Sequence, residues 1–221
     1  MAVSSETGNR DRLTSSGVRE IGGPFDRSTR GRLLAATATV IAHGGYRQAT
    51  VDRILREAHV GWTDFSSEFE DLDACFVAAL DAGFECAAEQ TERAIADTEL
   101  SFGPDAAFEA SLSALLARIA ASPDLANLCL VEAPALGARA VEHKERGLQR
   151  FVRLIQGGLG RGRAEVALPP LAAEMVVGGI YEVVQRKVRR GQFDELGSLP
   201  AEFRQLWMPA LRSATGERQD V

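Results

Sequence analysis

The sequence predicts an all-α chain: an N-terminal three-helix unit holding a helix-turn-helix, followed by a larger helical domain. Three observations carry this. Apolar residues recur at helical spacing from about residue 26 onward, and no stretch shows the alternation of a strand. Start and stop signals punctuate that period, among them Gly44-Gly45 and Ser122-Pro123. Between residues 50 and 69, two short helical patterns stand on either side of a three-residue break.

Taken in order, residues 1–25 are polar and rich in Ser, Gly and Arg, which predicts a flexible arm ending at Gly22-Gly23-Pro24. The arm has no apolar core of the kind a signal peptide needs. The first helix starts near Asp26 or Ser28, carries Leu33, Leu34, Thr37, Ala38 and Ile41 on one stripe, and stops at Gly44-Gly45. Thr50 caps a short helix whose Val51, Ile54, Leu55 and Ala58 fall at i, i+3, i+4, i+7. His59-Val60-Gly61 breaks it, and Trp62, Phe65 and Phe69 resume the period.

A long helix is predicted from about Leu72 to Asp97, with Leu72, Phe76, Ala79, Leu80, Gly83 and Ala87 on one face. Gly103-Pro104 separates it from a helix with Phe108, Leu112, Leu115, Leu116 and Ile119 inward. Further helices are predicted from Ser122-Pro123 to about Leu136, from 138 to 158, from 171 to 190 and from 200 to 213. The 171–184 stretch is apolar nearly all round and so needs cover on more than one side. The last helix shows Phe203, Leu206, Trp207, Ala210 and Leu211 as a wide stripe.

Composition sets bounds. The 221 residues are 45% apolar and 25% charged, with a net charge of −6, which argues against non-specific coating of nucleic acid. Cys75 and Cys86, on one helix, would lie roughly 16 Å apart, too far for a disulfide. Together with Cys129 they read as reduced thiols in a cytoplasmic protein. No run of eighteen apolar residues exists, so no membrane span is expected.

The informative segment is 29–80. A leading helix, a short capped helix, a tight turn and a second short helix is the spacing of a helix-turn-helix, whose second helix lies in the major groove. Val51, Ile54, Leu55, Val60, Phe65 and Phe69 would hold the pair at its angle. The outer side would carry Gly61, Trp62, Thr63, Asp64, Ser66 and Ser67. A plain helical corner has the same outline.

Here the chain resembles the TetR family of bacterial regulators. The resemblance runs through Leu33-Leu34-x-Ala36, Gly45-Tyr46, Thr50, Ile54-Leu55, Ala58-x-Val60, Phe65, Phe69 and Asp73-x-x-Phe76. It covers about fifty residues in matching order; the remainder is similar only in helix layout. There are departures: Thr37 stands where the family commonly has alanine, His59 where it usually has glycine, Ser66 where it has tyrosine, Glu68 where it has histidine, and Leu72 where it has lysine. The family's tyrosine and lysine commonly touch DNA phosphates, so both contacts are missing here.

The resemblance implies a two-domain subunit, with residues 26–70 reading DNA and 71–221 forming a ligand-binding and dimerisation domain. It implies a homodimer on a near-palindromic operator of double-stranded DNA, commonly as a repressor released by a small molecule. DNA-contact candidates are Arg30, Arg47, Thr50, Gly61, Trp62, Thr63, Asp64, Ser66 and Ser67. Trp62 either touches thymine methyls or packs on the first helix; Asp64 either accepts from a cytosine amino group or caps its own helix.

Charge complicates the reading. From Pro24 to Thr63 six arginines face three acids, a balance of +3, whereas Asp64 to Asp73 holds five acids and no base. Phosphate contacts dominate affinity, so the chain is expected either to grip DNA weakly or to lean on its N-terminal arm, with Arg19, Arg27 and Arg30 as the residues that could supply the grip.

Inward stripes of the central helices nominate Phe84, Leu112, Leu116, Val131, Phe151, Ile155 and Tyr181 as lining of a pocket for a largely apolar effector. The apolar helix near 171–190 followed by a Trp-bearing last helix resembles the family's dimerisation pair, which makes Val177, Gly178, Gly179, Phe203 and Trp207 the dimer candidates, with the glycines allowing close backbone approach. The run Gly157 to Gly162 lacks the Lys-Ser/Thr of a phosphate loop and reads as a helix end. Arg186, Lys187, Arg189 and Arg190 complement a helix C-terminus. His43, His59 and His143 share no metal-ligand spacing, and no catalytic set or cofactor motif emerges. The chain is expected not to be an enzyme. The competing reading is a helical ligand-binding or adaptor protein whose DNA binding is weakened or lost.

Overall fold

Ser28 begins the first helix of this computed structural model, its hydroxyl accepting from the Gly31 amide at 3.0 Å. The structure describes residues 25–158 and 169–214. The N-terminal arm with Arg19, and the stretch from Leu159 through Gly162, lie outside the described residues.

The described residues hold nine α-helices and no strand: α1 Thr29–Gly44, α2 Val51–Ala58, α3 Trp62–Glu68, α4 Leu72–Phe102, α5 Pro104–Ala121, α6 Pro123–Asn127, α7 Ala138–Gly158, α8 Pro170–Arg189 and α9 Leu199–Ala214. The all-α expectation is met, with boundaries close to those the start and stop residues set. Gly45, at φ 73°, ends α1 where a side chain would be strained. Thr50 caps α2, accepting from the Arg53 amide at 3.3 Å. Asp71 caps α4, accepting from Ala74 at 2.7 Å.

One expectation changes shape. The segment predicted as a single helix to Leu136 is α-helical only through Asn127. It continues as a π-helical turn, Leu128–Glu132, and a 3-10 turn, Ala133–Leu136. A wider turn leaves backbone carbonyls in need of partners, and the Gln185 side chain of α8 donates to the Leu130 carbonyl at 2.6 Å.

One apolar core runs through the molecule. Leu33 and Ile41 of α1, Ile54 of α2 and Phe65 of α3 join Phe76 and Leu80 of α4, Leu116 of α5, Leu128, Val176 and Val188 of α8, and Leu196 in the same buried cluster. Thr37, at the family's alanine position, is fully buried. Its hydroxyl donates to the Leu33 carbonyl at 2.8 Å and lies 3.1 Å from Cys75 Sγ, so its polarity is satisfied inside the core. Thr39 donates to Asp124 at 2.9 Å, tying α1 to α6. On the far side, Arg150 of α7 reaches Glu92 of α4 at 3.2 Å, and His143 meets Asp81 at 2.7 Å.

Candidate nucleic-acid interface and ligand cavity

The turn before α3 is built by His59, whose backbone is left-handed at φ 53°, ψ 48°. Histidine is among the non-glycine residues enriched in that region. It therefore supplies the left-handed turn at the position where the resemblance leads one to expect glycine. Val60 then folds back on α2, its amide donating to the Leu55 carbonyl at 3.2 Å.

From Gly61 to Glu68, Phe65 is the one buried residue. Phe65 and Phe69 are packed beneath, their rings 5.8 Å apart. Above them Gly61, Trp62, Thr63, Asp64, Ser66, Ser67 and Glu68 all face outward. Trp62 is 60% exposed and stacks on Phe65 at 5.8 Å, rather than packing on α1. Asp64 accepts from the Gly61 amide at 3.0 Å, closing the first turn of its helix. The Ser66 and Ser67 hydroxyls donate back to Thr63 and Asp64 carbonyls at 3.2 and 2.8 Å. Arg30 bridges to Glu68 at 3.4 Å and lies 4.7 Å over the Phe69 ring, so it buttresses the C-terminal end of α3 from α1. Arg47 and Thr50 are exposed at the entry to α2.

A second feature is internal. Helices α4, α5, α7 and α8, with residues 122–130, line a partly open cavity of about 140 Å³. Of the seven candidates, Phe84, Leu112, Phe151, Ile155 and Tyr181 line it. Leu116 and Val131 do not: Leu116 is 1% exposed, packed in the core, and Val131 lies in the π-helical turn, half-buried against that core. Close approaches shape the walls. A Cβ at Gly83 would sit 2.6 Å from Cys129 Sγ, and one at Gly147 2.5 Å from the Phe84 ring. The interior is poorly solvated, and burial pushes the Tyr181 hydroxyl and the Cys129 thiol each up to about 12.

Polar lining residues escaped the sequence reading: Thr91, Ser111 and Arg118. Arg118 lies on the inward stripe of α5 together with Ser111, Leu115 and Ile119, so a charged residue at a core-facing position was the available signal. Also unforeseen is a polar path between cavity and reading helices. Gln185, next to Tyr181 at 3.4 Å, holds the Leu130 carbonyl; two residues on, Glu132 accepts from the Tyr46 amide at 3.0 Å. The Tyr46 hydroxyl donates to Asp73 at the start of α4.

The dimer candidates divide. Val177 and Phe203 are buried within the subunit, and Val177 also lines the cavity. Trp207 is half-buried, and a Cβ on Gly179 would meet its ring at 3.2 Å, so Gly179 lets α8 approach α9. Gly178 faces outward with nothing nearby. Among the described residues, Trp62, Val141, Leu171, Met175 and Leu206 are the large apolar side chains most exposed; the last three lie on α8 and α9.

This arrangement, three short N-terminal helices set on a long α4 with a helical body behind, is the fold of the TetR-family transcriptional regulators. The fatty acid degradation regulator FadR from Bacillus halodurans superimposes with a TM-score of 0.72 at 20% identity, covering 83% of this chain and 96% of that one. FadR from Bacillus subtilis, in complex with stearoyl-CoA, gives 0.69 at 20% identity over 80% and 96%. The reduced form of E. coli NemR gives 0.62 at 18% identity over 79% and 95%. No protein-family model and no curated protein matches the chain.

Proposed function

We propose that the chain is a ligand-responsive transcriptional regulator that reads a near-palindromic operator as a homodimer and is released by a small, largely apolar molecule. The observation that carries this is the outward display of Gly61–Ser67 on a helix anchored by Phe65, in a molecule with a regulator's fold. A helix so mounted can enter the major groove, with Trp62 offering its ring to thymine methyls and Thr63 a hydroxyl to a base edge. Residues 26–70 are the reading unit and the rest is the effector and dimer unit.

Pairing through α8 and α9 would cover Leu171, Met175 and Leu206, with Gly178 at the close approach. Two copies of α3 would then stand about one DNA turn, roughly 34–36 Å, apart. An effector in the cavity must bind one spacing of the pair better than the other. Two connections lead from it: α4, which is separated from α3 by three residues, and the path from Gln185 through Glu132 to Tyr46. Such a regulator works in the cytoplasm, beside its DNA.

Selection of binding sites from random DNA, at stated salt, tests the reading. An enriched two-fold motif is expected, and Trp62→Ala should weaken binding to it. No enrichment at low salt would favour the second reading, an effector-binding protein without a DNA target. The five acids from Asp64 to Asp73, and serine and leucine at the phosphate-contacting positions, are what favour that reading. For the dimer, Gly178→Leu should shift the population toward monomer by light scattering. An unchanged mass at nanomolar concentration would refute that interface.

A further inference from the structure

We propose that the cavity takes a neutral apolar molecule that carries a carbonyl oxygen, its body between α4, α5, α7 and α8 and its oxygen accepting a hydrogen bond from the Tyr181 hydroxyl. This names the class of effector for the reading above and rests on it.

The walls set the body. Phe84, Phe108, Leu112, Phe151, Ile155 and Ile180 present aromatic and aliphatic surface. At about 140 Å³ the space suits one ring or a short hydrocarbon chain. Such walls penalise a charged group. Arg118, the one charged side chain of the described lining, is already engaged and leaves that penalty in place.

The hydroxyls set the polar point. Thr91 and Ser111 donate to the carbonyls of Ala87 and Phe108 in their own helices, at 2.8 Å each. Tyr181 is placed differently. Its oxygen accepts from the Gln185 side chain at 3.4 Å, and the same Gln185 nitrogen donates to the Leu130 carbonyl at 2.6 Å. The Tyr181 proton therefore points away from Gln185, and it has no acceptor among the described residues. Lys144 of α7 lies 5.4 Å over the ring and covers it from that side. Burial pushes the phenol up to about 12, so it keeps its proton through neutrality. Ser122 also lines the cavity, at the corner between α5 and α6, but a phenol is a stronger hydrogen-bond acid than an aliphatic hydroxyl. A carbonyl on the ligand would complete a relay from Gln185 through Tyr181, in which each bond polarises the next.

Calorimetric titration of the full chain without DNA, at neutral pH, tests this with acetophenone and with ethylbenzene, which match in size and differ in the carbonyl. Tyr181→Phe should weaken acetophenone binding about ten-fold, the worth of one neutral hydrogen bond, and leave ethylbenzene within about two-fold. Ser122→Ala should leave both unchanged. Benzoate should bind the unaltered protein more weakly than acetophenone. In infrared difference spectra of the unaltered protein, the carbonyl stretch of bound acetophenone should lie below its position in hydrocarbon solvent, and Tyr181→Phe should return it.

An acetophenone loss in Tyr181→Phe no greater than the ethylbenzene loss overturns the proposal, since a merely structural tyrosine would weaken both alike. So does an equal acetophenone loss in Ser122→Ala, an unshifted carbonyl stretch in the unaltered protein, benzoate binding tighter than acetophenone, or the absence of acetophenone binding. Since no DNA is present, failure here leaves the reading of α3 standing, and failure of the DNA selection leaves this result standing.

Discussion

His59 holds a left-handed backbone where glycine would rest without penalty. A side chain in that region costs on the order of 1 kcal/mol. His59→Gly should therefore raise unfolding stability by up to about 1 kcal/mol in urea titration, less glycine's extra chain entropy. A loss of stability would mean that the exposed ring makes a contact worth more than the strain. At this scale the sequence was readable where a residue has a conformational role. Ser28, Thr50 and Gly45 announce helix ends by their chemistry, and the structure uses each as expected. The charge of Arg118 on an inward stripe was legible, but not its place on a cavity wall, because periodicity puts a residue on an inward face without saying whether that face meets core or cavity. Leu112 lines the cavity and Leu116, one turn on, does not, although both fall on the same stripe.

The π-helical turn Leu128–Glu132 is the element least visible beforehand. Its composition suits an ordinary helix, and only the placement of Gln185 opposite the Leu130 carbonyl reveals what supports the wider turn. The helix-turn-helix was legible as a unit because its cap, break and aromatic anchors all lie within twenty residues. The π turn depends on α8, more than forty residues away, and local sequence does not encode that contact. If the turn couples cavity to α2, Gln185→Ala and Glu132→Ala should each speed amide exchange across residues 46–58. Combined, they should do little more than either alone, since each interrupts the same path. Additive effects in hydrogen-exchange mass spectrometry would show that the two contacts act independently.

Across the whole molecule, burial gathers acids that resist ionisation. Cys75 is pushed up to about 11 and Cys129 to about 12, each mainly by desolvation. Tyr46 and Tyr181 both rise to about 12 for the same leading reason, with the Asp73 hydrogen bond adding to Tyr46. Between the ordinary values, 9.0 for cysteine and 10.0 for tyrosine, and these raised ones, the unfolded chain loses protons that the folded chain keeps. Stability should be flat through neutrality and fall steadily as pH climbs past about 9, as melting temperature against pH would register. A melting temperature that holds to pH 11 would contradict the burial of these groups.

The core that runs from Leu33 and Ile41 through Phe76 to Leu116 also limits how the chain can be dissected. Excising residues 25–70 as a minimal reader would strip α1 of the partners that cover its inner side and cut the Thr37, Thr39 and Tyr46 tethers. Anyone wishing to graft this reading head onto another protein must transplant the start of α4 and residues 123–136 with it.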